Sequence, residues 1–309
     1  MADNRYDIVI AGAGPAGLSA AIYALRAGKS VMLLEAAQFG GQIVNTPEVE
    51  NYPGIKHISG FDFAYGLYEQ AMALGAQIAF ERAESVEDLG DRKIVHGVKN
   101  DYEAGAVILA TGAKNRPLGL EAEQRFIGHG ISYCATCDGA FFRGRVVAVN
   151  GGGNTAIEDA AYLAGICEKV YLIHRREQFR GEERAVEALR GRGNVEFVLN
   201  ATVTDLFPDE AGERLGAVEV TDKNSGETRR LDVACLFVAI GQIPENSGFA
   251  DVARLDEKGY IAAGEDCLTG TPGVYTAGDC RTKTVRQLVT AASDGAVAAL
   301  AAASMLDAK

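Results

Sequence analysis

Along DIVIAGAGPAGLSAAIYALRAGKSVMLLE, from Asp7 to Glu35, an unbroken apolar run gives way to a glycine-rich turn, an alanine-rich stretch and a second apolar run. Short continuous apolar runs predict strands covered on both faces, and the alanine-rich stretch between them predicts a helix. RVVAVNGGGNTAIEDAAYLAGICEKVYLIH, from Arg145, repeats the pattern. Gly12, Gly14 and Gly17 of the first stretch match Gly151, Gly153 and Ala156 of the second, each 139 positions further on, with no gap. The chain therefore carries a βαβ unit twice.

Three later stretches complete the pattern. AVILATGAKNRP (106–117) and CLFVAIGQIPEN (235–246) each read as an apolar strand, a glycine turn and a proline, as at a crossing between domains. GVYTAGDCRTK reads as a further strand ending at Gly278 and Asp279, followed by a helix over VRQLVTAASDGAVAALAAASML. The expected fold is α/β, with two Rossmann-like three-layer domains. The first is discontinuous, 1–113 plus 242–309, and the second, 114–241, is inserted into it.

A lone G-x-G-x-x-G is weak, but here strand, turn and helix surround it both times. The first glycine permits the tight turn, the second lets backbone approach a pyrophosphate, and the third position must be small for helix and strand to pack. The helix N-terminus then offers free N–H groups and the positive end of its dipole. The ends of the second strands distinguish the two sites. VMLLE places Glu35 where a carboxylate accepts hydrogen bonds from ribose hydroxyls and repels a 2′-phosphate, so this site is expected to take FAD. VYLIHRREQFR places His174, Arg175, Arg176 and Arg180 at the matching point, where guanidinium forks suit a phosphate dianion. That site is expected to prefer NADPH over NADH.

A net charge of −12 and the lack of any basic stretch argue against nucleic acid as a partner. The N-terminal stretch has an acid before its apolar run and no cleavage pattern, so it is not read as a signal peptide, and a cytoplasmic setting is expected. No apolar run is expected to be long enough to span a bilayer; AVAALAAASML reads as a core helix. Of six cysteines only Cys134 and Cys137, in SYCATCDGAFF, have a recognisable spacing. A Cys-x-x-Cys pair is half a zinc site, a redox dithiol or an accident of a loop. Zinc needs two more ligands, and the histidines (His57, His96, His129, His174) are scattered singly, so a cycling dithiol leads and no metal is expected. Cys167, Cys235, Cys267 and Cys280 are read as small buried apolar residues.

In order, GAGPAG, GGQIVNTPEVENYPG, ATGA, CATCDG, GGGNTA, HRREQFR, AIGQIP and AGD…VRQ make the whole chain resemble the low-molecular-weight, bacterial-type thioredoxin reductases. The resemblance implies a homodimer that moves electrons from NADPH through FAD to the Cys134–Cys137 disulfide and on to thioredoxin, with a domain rotation between its two working states. It implies that Cys137 meets the flavin, Cys134 attacks the partner and Asp138 handles protons. Around the flavin it implies Gly12, Ala13, Gly14, Pro15, Ala16, Gly17, Gly40, Gly41, Gln42, Asn51, Ala110, Thr111, Gly112, Gly278, Asp279, Arg286 and Gln287. Around the nicotinamide dinucleotide it implies Gly151, Gly153, Asn154, Thr155, Ala156, Ile240 and Gly241. The chain departs from the family pattern at His129, where Lys or Arg is usual, at Gly181 for Ala, at Glu245 for Asn and at Ser293 for Gly.

Alternatives of the same fold would take electrons from ferredoxin or another flavin, or hand them to another small dithiol protein. The intact GGGNTA and HRREQFR stretches speak against a different donor. A non-catalytic nucleotide-sensing protein would have no use for both redox cysteines.

Overall fold

The computed structural model describes residues 4–46 and 48–308, which leaves Pro47 of the GGQIVNTPEVENYPG stretch outside. The chain parts into two compact units, Met1–Lys114 with Ile243–Lys309, and Asn115–Gln242.

The first unit begins with β1 (Arg5–Ala11), α1 (Pro15–Arg26), β2 (Val31–Leu34), α2 (Gly60–Ala73), β3 (Gln77–Ala79), β4 (Ala83–Asp88), β5 (Lys93–Gly97) and β6 (Asp101–Leu109); β7 (Ala113–Asn115) leads out of it. Strands β3, β2, β1 and β6 lie side by side in parallel, while β4 and β5 extend the sheet antiparallel from the start of β6. Alternate β1 residues serve opposite faces: Ile8 and Ile10 join the helix-side core, Val9 and Ala11 the other. Pro15 opens α1, where its missing N–H costs nothing, and Ser59 caps α2 by accepting from Asp62 N at 3.0 Å.

The second unit runs α3 (Glu123–Phe126), β8 (Ile131–Ser132), α4 (Ala135–Asp138), β9 (Val146–Gly151), α5 (Asn154–Ala164), β10 (Lys169–His174), α6 (Glu183–Arg190), β11 (Val195–Leu199), β12 (Ala201–Pro208), β13 (Leu215–Asp222), β14 (Thr228–Asp232) and β15 (Cys235–Ala239). Its parallel sheet has the order β11-β10-β9-β15-β8. One face packs a core with α5 and α6; the other packs against the antiparallel sheet β12-β13-β14. Helices, parallel sheet and antiparallel sheet make the three layers.

β16 (Gln242–Pro244) pairs with β7, so the two crossing segments form a small sheet of their own. β17 (Val274–Thr276) then returns to the first unit and pairs in parallel with the end of β6, before α7 (Leu288–Asp307). The helix starts at Leu288, with Gln287 as its cap, three residues later than the sequence pattern suggests. It is also longer than its apolar run. At 20 residues it is long and apolar enough to cross a bilayer by length and composition, which corrects the expectation that no segment is. The helix continues through Asp294 because that carboxylate is buried and paired with Arg281 and Lys283. Ala291, Ala298 and Ala302 pack in the helix-side core with α1. A Cβ on Gly295 would stand 2.2 Å from Ala16 O, so α7 and α1 approach to backbone contact, as core helices do.

Candidate functional site: two dinucleotide cradles and a redox disulfide

In the first unit the chain leaves β1 through Gly12 at φ +111°, where a Cβ would lie 2.3 Å from Ala110 O. A Cβ on Gly17 would lie 1.9 Å from Gly12 O, so only glycine lets α1 settle on the turn. Gly40, at φ +95°, donates from its N–H to Ala13 O at 2.7 Å and lays the Gly40–Gly41 loop over the cradle, with a Gly41 Cβ position 3.3 Å from Gly14 Cα. Glu35 turns back on the same turn: its carboxylate accepts from Ala13 N and from Ala37 N, both at 2.9 Å.

Residues far apart in sequence close this cradle. Asn51 Nδ2 donates to Gln287 Oε1 at 3.3 Å, Gln42 donates to Ala113 O, and Thr111 Oγ1 donates to Asn246 Oδ1 at 2.8 Å. Gly112 takes φ +69°, while Ala110 continues the end of β6 as a buried residue. Gly278, at φ +82°, sits 2.8 Å, by its Cβ position, from the Ala16 side chain and donates to Asp294 Oδ2 at 2.9 Å. Its neighbour Asp279 has an oxygen, Oδ1, that is buried with no partner among the described residues. Burial pushes the Asp279 carboxyl up, while the charges of Arg286 and Lys283 pull it back. An unpaired buried acceptor at a strand end is what a sugar or ribityl hydroxyl would satisfy. Arg286 is placed differently from a direct contact. Its guanidinium donates to three main-chain carbonyls, of Asp279, Lys283 and Arg281, and lies 4.3 Å above the Tyr260 ring, stapling the loop that carries Asp279.

The second cradle follows the same plan with other details. A Cβ on Gly151 would meet Ala239 O at 2.4 Å, just as Gly12 meets Ala110. Gly153 has open space around it at the start of α5, where Asn154 and Thr155 are exposed and Ala156 is buried. Ile240 is half-buried after β15, and Gly241, at φ +105°, accepts from Arg116 N at 2.9 Å. His174 turns inward. Only 5% exposed, its ring stacks on Phe179, its Nε2 meets Gln178 O at 3.2 Å, and it fills the place where a Gly152 Cβ would be, 2.1 Å from the ring. Burial holds the imidazole below its ordinary value despite the Gln178 bond, and the Arg180, Arg175 and Arg176 charges depress it further. It therefore shapes the turn as a buried ring. Arg175, Arg176 and Arg180 are exposed and make no side-chain ion pair or hydrogen bond among the described residues, while Arg180 N donates to Gly152 O at 2.7 Å. Three guanidiniums without side-chain partners among the described residues, at the end of β10, are groups of the kind that pairs with a phosphate. The departure at Gly181 also has a cause: a Cβ there would lie 2.2 Å from Ile157 Cδ1.

Between β8 and β9 lies the redox motif. Cys134 and Cys137 are joined in a disulfide with their Cα atoms 5.3 Å apart. Cys134 caps α4, and its Sγ accepts from Cys137 N at 3.2 Å. Asp138, at the end of α4, accepts a 2.6 Å bond at Oδ2 from the Ser132 hydroxyl, whereas Oδ1 is buried with no partner among the described residues. Burial pushes this carboxyl up, opposed by the Ser132 bond. Sequence reasoning missed Ser132, which no local motif marks. It also passed over Gly152, although a third glycine in a row was a usable signal. The four remaining cysteines are free and buried.

A family model described as pyridine nucleotide-disulphide oxidoreductase matches residues 6–296. The chain is 42% identical over 297 residues to a thioredoxin reductase of Mycoplasma genitalium, covering 96% of this chain and 93% of that one. It is 38% identical over 296 residues to one of Listeria innocua, covering 96% and 92%. A crystal structure of thioredoxin reductase from Streptococcus pyogenes superposes with a TM-score of 0.94 at 35% identity, covering all of both chains. With cradle, disulfide and likeness agreeing along its length, the chain belongs to the pyridine nucleotide-disulphide oxidoreductase family, among its thioredoxin reductases.

Proposed function

We propose that the chain carries electrons from NADPH through FAD to the Cys134–Cys137 disulfide and from there to the disulfide of thioredoxin. Family membership implies a flavin and a pyridine nucleotide; the assignment of each to its cradle is our reading. The observation that carries the proposal is the formed disulfide beside a buried carboxyl, in the same unit as a nucleotide cradle with unpaired arginines.

The flavin, when bound, accepts a hydride and passes electrons to sulfur, which nicotinamide alone does not do. Around it Gly14 and Gly41 leave room for the pyrophosphate, Glu35 excludes a 2′-phosphate, and Asp279 Oδ1 awaits a hydroxyl. Arg175, Arg176 and Arg180 select the phosphorylated ribose. Cys134 is the thiol that attacks the partner, and the Cys137 N–H aimed at its sulfur steadies the thiolate. Cys137 is the sulfur assigned to take up the electrons, and it resolves the mixed disulfide. Asp138, whose carboxyl burial pushes up against the Ser132 bond, exchanges protons with the thiols. The crossings at β7 and β16 act as hinges for a rotation that serves flavin and partner in turn. The reading includes a homodimer in the cytoplasm, which light scattering of the purified protein checks for the first.

The test is oxidation of NADPH, with NADH in parallel, with and without oxidised thioredoxin. Rapid oxidation only with NADPH and thioredoxin together is expected. Flavin bleaching by NADPH with no response to thioredoxin would assign another dithiol protein as partner. Failure of both nicotinamides to bleach the flavin would overturn the reading of the arginine cluster in favour of a ferredoxin-type donor.

A further inference from the structure

We propose that Ser132 is a positioning residue whose hydroxyl hydrogen switches between Asp138 and Cys134 O as the carboxyl gains and loses its proton. The inference rests on the proposed role of Asp138 and names the group that lets the acid work without moving. Ser132 is 6% exposed at the end of β8. Its Oγ accepts from Cys134 N at 3.1 Å and has two acceptors within reach of its single hydrogen, Asp138 Oδ2 at 2.6 Å and Cys134 O at 3.3 Å. With Asp138 ionised, the hydrogen belongs on Oδ2, because charge-assisted bonds are the shorter and stronger kind. With Asp138 protonated, Oδ2–H donates to Oγ and the hydroxyl hydrogen turns to Cys134 O. A hydroxyl has one donor and two acceptor sites, so each state satisfies it without moving a heavy atom. Both ends of the switch are anchored on the redox loop: Asp138 N also donates to Cys134 O at 3.1 Å.

The surroundings suit this role. The titratable groups near Asp138 are the redox cysteines at the two ends of its short helix and the Cys235 thiol of β15, with Cys167 near that thiol; the Tyr162 ring on α5 lies against the next residue, Gly139. Burial pushes the Cys235 thiol well up, so it stays neutral. Among the described residues no lysine or arginine acts on Asp138, and the Ser132 hydroxyl is the group opposing its burial. Opening the disulfide takes two electrons, which arrive from the nicotinamide by way of the flavin, and two protons. The S–S bond breaks and two S–H bonds form, one proton leaving the Asp138 carboxyl and one coming from water. The carboxylate left behind accepts a hydrogen bond from the Ser132 hydroxyl, which keeps its proton, until one proton from solvent restores the acid.

Ser132→Ala removes a bond that favours the ionised carboxyl more than the neutral one, so Asp138 should titrate higher by about one unit. The readout is the protonated-carboxyl infrared band of the holoenzyme followed against pH and assigned to Asp138 with Asp138→Asn. The pH profile of thioredoxin reduction should move the same way. Ser132→Thr, which keeps the hydroxyl, should restore both, and Ser132→Ala should add nothing to the profile of Asp138→Asn. If the alanine variant does not fold, Ser132→Gly replaces it. A folded variant whose carboxyl band titrates as in the parent, or a threonine variant that restores neither readout, would overturn the proposal. If Asp138→Asn leaves the turnover profile unchanged, the failure lies instead with Asp138 as the acid, while the infrared titration still reads the Ser132 contact.

Discussion

The two βαβ units share a plan, and four matched positions show how they diverge. Where Gly12 leaves its strand at a positive φ and points its carbonyl at α1, Gly151 still belongs to β9 and takes no such φ. Position three must therefore be Gly17 in one unit, while Ala156 is accommodated in the other. Glu35 bonds back onto its own turn, and His174 fills the hollow beneath Gly152, which leaves the arginines after it facing outward. On the helices, Ala20 is matched 139 positions on by Asp159, and both are buried. A common scaffold is thus tuned by how the first glycine leaves its strand and by what the next strand end does with its polar group.

The largest contrast is at position three. Gly17→Ala forces a methyl against Gly12 O and should cost on the order of 3 kcal/mol, with loss of bound flavin. Ala156→Gly should cost only about 1 kcal/mol, the price of glycine within a helix. Thermal melts and flavin content of the two variants check this; equal effects would break the comparison.

Next in size is Asp159. Burial, and then Glu158, push its carboxyl up to about 7. A folded value raised above the unfolded one means that the acid costs nothing while neutral below pH ~4, and that stability is lost as pH rises through about 7. Asp159→Ala, which copies Ala20, should therefore stabilise the protein at pH ~8 by on the order of 3 kcal/mol and hardly at all near pH ~4. Denaturant melts at the two pH values decide it.

The arginines come third. Arg175→Ala and Arg176→Ala should each raise KM for NADPH about tenfold, with kcat and the KM for NADH nearly unchanged. Loss with NADH as well would mean that these side chains do not read a phosphate. The smallest effect is at Gly181. Gly181→Ala should cost about 1 kcal/mol by crowding Ile157, and Ile157→Val, which removes Cδ1, should recover most of it.

Much of this was legible in the sequence because its signals are local. The glycine spacing, the apolar runs, Glu35 and the Cys-x-x-Cys pair each sit within a few residues of what they act on. The rest depends on packing between distant segments. Asn51 meets Gln287 across 236 positions, and the length of α7 depends on Asp294 finding Arg281 and Lys283 in the core. The sequence puts His174 among the groups facing the phosphate because it ends the strand beside the arginines; that its ring turns inward is set by Gly152 and Phe179. Arg286 was legible as a site residue but not as a staple of backbone carbonyls, since that needs the loop it holds.

The central claim is that electrons from the nicotinamide open the Cys134–Cys137 bond. Its most direct test is an anaerobic thiol count, made under denaturing conditions on the flavin-loaded protein before and after excess NADPH. The oxidised chain should show four free thiols, Cys167, Cys235, Cys267 and Cys280, and the reduced chain should show all six cysteines free. A count that stays at four while NADPH bleaches the flavin would contradict the account, because the disulfide would then lie off the path of the electrons.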